Sequence, residues 1–94
     1  MAPGNVDALN LTGVLHLAKR ENEKALEAFE AVLALHEKNV CALTYRGELR
    51  AHAGENRAAR GDLRRAIAAG HPDESLVRRA YSVLALLEAR RSQA

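Results

Sequence analysis

Cysteine, aromatic residues and long apolar runs are all scarce in this chain, and each scarcity excludes something. The single cysteine, Cys41, leaves no internal disulfide and no second thiol for a CxxC metal site; its plainest use is as a small apolar packing residue. One phenylalanine and two tyrosines are too few for a platform on which bases stack, so nucleic acid is not an expected partner. The longest apolar runs are short, as in VLALL at 83–87, against the roughly 20 residues a bilayer-spanning helix needs. MAPGNVDALN at the start has no basic stretch followed by an apolar core. No secretory signal or membrane insertion is therefore expected, and a cytoplasmic location is the default. The four histidines, His16, His36, His52 and His71, have no HExxH-like spacing. With no glycine-rich phosphate loop and no nucleophile in a triad context, the expectation is a non-enzyme without cofactor or metal.

What the chain does have is alanine and leucine, in a total of 94 residues that are 48% hydrophobic and 28% charged. That balance suits one small globular domain. It also favours helix, because alanine and straight-chain residues lose little side-chain entropy there. The charge is unevenly spread. Residues 1–39 hold six acids and four bases, a balance of −2, and residues 40–94 hold six acids and ten arginines, a balance of +4. A solvated helix surface is the simplest account of the arginines; an acidic partner, or the acidic first half of another copy, is the functional one.

The chain also repeats itself. NVDALNLTG at 5–13 returns as NVCALTYRG at 39–47. Under a shift of 34 residues, Asn5 meets Asn39, Val6 meets Val40, Leu9 meets Leu43, Gly13 meets Gly47, Leu15 meets Leu49 and Ala25 meets Ala59, within ten identities in all. A period of this length is the signature of a stacked helical unit. Helices are expected near 5–18, 23–37, 40–53, 57–69 and 74–91. Asn22, Asn39 and Asn56 are the expected N-caps and Gly54 a left-handed C-terminal cap. Gly13 and Gly47 cost helix propensity, about 1 kcal/mol against alanine, so close approach of another element is expected at both. In the fifth helix Leu76, Val77, Ala80, Tyr81, Val83, Leu84 and Leu87 form a wide apolar stripe, with Leu86 alone on the polar side.

On these residues the chain resembles the tetratricopeptide repeat family. The family pattern W-x2-L-G-x2-Y…A-x3-F…P falls on Leu9, Thr12, Gly13, His16, Ala25 and Phe29, with Glu37 at the proline position. In the second copy it falls on Leu43, Arg46, Gly47, Arg50, Ala59 and Leu63, with Pro72 one residue late. The resemblance implies an all-α fold, a right-handed α-solenoid in one domain over 1–94: repeat one at 5–38, repeat two at 39–72 and a capping helix at 73–91. It implies a protein-protein interaction module whose first helices line a concave groove. The groove residues would be Asp7, Asn10, Val14 and Leu17, then Cys41, Thr44, Glu48 and His52, with Arg78, Arg79 or Ser82 nearby. Relatives that clamp acidic chaperone tails carry Lys and Asn on the first helix and a further Asn on the third; Asn10, Val14 and Tyr45 stand there instead, so that clamp is not expected.

The implied partner is a protein or peptide, a helical or extended segment held by an adaptor or chaperone. Small cytoplasmic chaperones of type III secretion are similar in size and in their loosely matched repeats. The competing reading is a structural subunit that self-associates through its apolar end helices. The first helix is apolar nearly all round, so Leu11 and Leu15 are expected to form an association face covered by a second copy or a partner. Either a homo-oligomer or an obligate hetero-complex follows.

Overall fold

The computed structural model describes the backbone of residues 5–93 and the side chains of residues 5–90. Five helices follow one another, α1 (Val6–Ala18), α2 (Asn22–Leu35), α3 (Val40–His52), α4 (Asn56–Ala69) and α5 (Glu74–Gln93), with no strand among the described residues. All five begin and end within two residues of the expected positions.

The helix ends explain why the pattern can repeat. Asn5 and Asn39 stand before α1 and α3, and their side chains accept from the backbone N–H of Ala8 and Ala42 at 3.0 Å. Each satisfies an otherwise unpaired donor of the first turn. At the far end of α3, Gly54 takes φ 84°, and the Gly54 and Glu55 N–H groups donate back to Ala51 and Arg50. This is a Schellman closure. The end of α1 closes in the same way through Arg20 and Glu21, although Arg20 must take φ 61° without being glycine.

The expected caps at Asn22 and Asn56 need correction. Both are the first residues inside their helices, and Glu21 and Glu55 hold the capping positions without a side-chain capping bond. The reason lies in the closure: the residue that completes the turn after α1 or α3 also accepts, through its own C=O, the first bond of the next helix, from Ala25 or Ala59. Glu21 turns its carboxylate instead to His16 and Lys24, both at 3.2 Å. Those two hydrogen bonds, His16 first, hold its pKa below the ordinary value. Before α5, Asp73 accepts from the Ser75 hydroxyl and N–H, and the hydroxyl bond chiefly holds its carboxyl low.

The helices pack in sequence: α1 on α2, α3 on both α2 and α4, and α5 on both α3 and α4. Two connected cores result. One gathers Ala25, Phe29, Val32, Ala42 and Leu49, flanked by Val6, Leu9, Val14 and Leu17. The other gathers Val40, Leu43, Ala59, Leu63, Ala66, Ala80 and Leu87. Phe29, Leu43 and Leu63 are fully enclosed, each contributing about 1.5–3 kcal/mol by burial.

Gly13 of α1 and Gly47 of α3 are contact points, as their position in the repeat requires. A Cβ on Gly13 would stand 2.6 Å from the Phe29 ring, and one on Gly47 2.9 Å from Leu63 and 3.3 Å from the Ala59 carbonyl. Leu86 is exposed, as expected. Tyr81 is a correction: it is 55% exposed, because it lies about 100° round the helix from the buried Ala80, at the edge of the stripe. In the 34-residue register it replaces Gly47, and no helix follows α5 among the described residues to close on that position.

Candidate functional site

The residues proposed for ligand contact are drawn from α1, α3 and α5, and the structure ties these helices together through polar contacts. Asn10 of α1 donates from Nδ2 to Oδ1 of Asn39, the cap of α3, at 3.2 Å. Glu48 of α3 takes a bidentate pair from Arg79 of α5, at 2.6 Å to Nε and 3.0 Å to Nη2. The Arg79 guanidinium also lies 5.0 Å from the centre of the Tyr45 ring, and Tyr45 is stacked on Phe29 with centroids 5.3 Å apart and planes 11° apart. Tyr45 of α3 thus meets both the Phe29 ring of α2 and the Arg79 guanidinium of α5, a cation placed over an aromatic face. The hydrogen bonds that Arg79 donates to Glu48 outweigh the cost of partial burial and raise the Arg79 pKa above its ordinary value.

Around this ladder the expected groove residues fall into three groups. Asp7, His52, Arg78 and Ser82 are exposed, and Arg78 leans back toward Glu74 of its own helix at 3.9 Å. Asn10, Val14, Leu17, Cys41 and Glu48 are half-buried. Burial raises the Cys41 thiol pKa, which makes it a poor thiolate and a packing side chain first. Thr44 corrects the expectation: it is fully buried, so its side chain lines no open surface. Its place on the helix gives the reason, since Glu48, one turn on, is bound to α5. The stripe from Thr44 to Glu48 faces a neighbouring helix. Thr44 Oγ1 and Asn10 Oδ1, at equivalent places in the two repeats, are buried without a hydrogen-bond partner.

A second polar cluster escaped the sequence reading. Asp62 of α4 is fully buried and accepts from Arg46 at 2.9 and 2.8 Å, from Arg50 at 3.0 Å and from Arg65 at 2.9 Å. The Asp62 bonds raise the Arg46 pKa above its ordinary value, against the effect of burial. The visible signal was a carboxylate on the stripe Ala59, Leu63, Ala66, which is otherwise apolar. Three of the ten arginines of the second half are therefore internal ties, and Arg64 and Arg79 pair with Glu88 and Glu48. No group of three or more metal-ligand side chains occurs among the described residues, and no described helix is long and apolar enough to cross a membrane.

The family model for the tetratricopeptide repeat matches residues 1–40 and 10–74. The chain belongs to the tetratricopeptide repeat family. Its five helices are the all-α solenoid of that family, and a tetratricopeptide domain is a protein-protein interaction module. No curated protein and no solved structure gives a significant match.

Proposed function

We propose that the chain is an adaptor that holds a helical or extended segment of a partner protein against the face formed by α1, α3 and α5. The observation that carries this reading is the composition of that face around the Tyr45–Arg79–Glu48 ladder. Half-buried Val14, Leu17 and Cys41 supply apolar surface, and the ladder fixes charged groups beside it. A mostly apolar surface with a few fixed polar groups is how specific recognition sites are built. A small cytoplasmic chaperone of the type III secretion kind is the most concrete form of this reading, supported by the loosely matched repeats.

Tagged protein recovered from its native cells, with bound chains identified by mass spectrometry, tests the proposal. The parent is expected to carry one stoichiometric partner. Val14→Glu and Ser82→Trp should each lower its yield at least about tenfold with helicity intact, since a charge or a bulky ring on this face leaves a group desolvated or displaced in the complex. Ser82 is exposed, so its replacement tests the face even if Val14→Glu unfolds. Full retention of the partner by both variants would contradict the groove.

A second reading, self-association through the apolar end helices, is favoured by one observation: Leu11 and Leu15 are 59% and 54% exposed.

A further inference from the structure

We infer that the exposed face of α1 binds a second copy of this chain, the two α1 helices pairing antiparallel about a two-fold axis. This rests on the self-association reading and is independent of the groove.

The first observation is that α1 is apolar nearly all round, yet Gly13 is its only buried residue. The repeat shows what the open face is for. Leu11 and Leu15 correspond, 34 residues on, to Tyr45 and Leu49. In the second repeat those side chains pack into the core shared with the first: Tyr45 is stacked on Phe29, and Leu49 is only 7% exposed. The same face of α1 carries two leucines and stands open. It has the composition of a stacking surface, and no helix among the described residues is stacked on it.

Charge identifies the occupant. Asp7, Leu11, Leu15 and Lys19 follow one another at i, i+4 spacing, all four are exposed, and neither Asp7 nor Lys19 has an ion-pair partner among the described residues. The ridge reads acid, apolar, apolar, base. Reversed end for end it is its own complement, which is the requirement of an isologous two-fold interface. Packing along i, i+4 ridges is the commonest class of helix crossing. Run antiparallel, it sets Leu11 of one copy against Leu15 of the other and Asp7 beside Lys19 at both ends. A partner of unrelated sequence would place no such demand on the order of charges.

Sedimentation across a dilution series at low salt tests the pairing, with circular dichroism confirming helicity. The parent is expected to pass from monomer to dimer, and Leu11→Lys or Leu15→Lys to stay monomeric. Asp7→Lys alone and Lys19→Glu alone each put like charges at both ends of the pair and should weaken association about tenfold. An equimolar mixture of these two single variants should recover the parental association, because each copy then meets its opposite charge at both ends. A parent that is monomeric at every concentration overturns the inference, whatever else that face binds. So does a parental dimer that withstands Leu11→Lys and Leu15→Lys, or a mixture that associates no better than its components.

Discussion

Asp62 has no exposed surface, and a carboxylate so placed is tolerable only because three guanidinium groups surround it. Removing one member of a buried pair leaves the rest uncompensated, at a cost of about 3–5 kcal/mol. Asp62→Ala is therefore expected to lose about that much in urea melts. Arg65→Ala should lose less than about 1 kcal/mol, since the Arg65 side chain is 61% exposed. The first repeat shows how the same site is built without charge, with Thr12 and Ala28 where the second has Arg46 and Asp62. Carrying those residues across, the double variant Arg46→Thr/Asp62→Ala should fall short of the sum of its single losses by about 1–3 kcal/mol. A strictly additive double would show that the pair is not coupled. The position of Asp62 on an apolar stripe was legible in the sequence. Its partners were not, because which arginines reach it depends on how α3 crosses α4.

At the scale of the element, the two links between paired helices differ in one residue that matters, Arg20 against Gly54. Both take positive φ, 61° and 84°, and only glycine does so without a clash of Cβ against the backbone, a clash worth about 1–2 kcal/mol. Arg20→Gly is expected to raise stability by about 1 kcal/mol. Gly54→Ala should lower it by a similar amount. Unchanged denaturation midpoints in both would mean that these turns relax to another closure. Helix positions were readable from hydrophobic period and turn residues, and the left-handed role of Gly54 was readable too. Asn39 was readable as the cap of α3, but the capping positions of α2 and α4 were not: asparagine is the favoured N-cap, yet a Schellman closure flowing directly into the next helix hands that position to Glu21 and Glu55.

On the scale of the whole molecule, a 34-residue register orders the apolar packing of the two repeats. It places Gly13 and Gly47 against the following helix, and Tyr45 and Leu49 against the preceding pair. It leaves Leu11 and Leu15 open on α1 and Tyr81 open on α5. The order of helices and their pairing were legible because the repeat is local in sequence. Which side of α3 meets α5 was not, so Thr44 was expected at the surface and lies inside. Cys41, one turn before Tyr45 on α3, is half-buried and is the sole thiol, which makes it a single reporter on the proposed groove. Its rate of maleimide labelling, measured with the chain free and then saturated with the co-purified partner, reports whether a partner occupies this groove. The partner is expected to cover the α1–α3–α5 face and to slow labelling about tenfold or more in the complex, in the parent and in Leu11→Lys alike. Labelling at the free rate while the partner remains bound would contradict this placement of the partner.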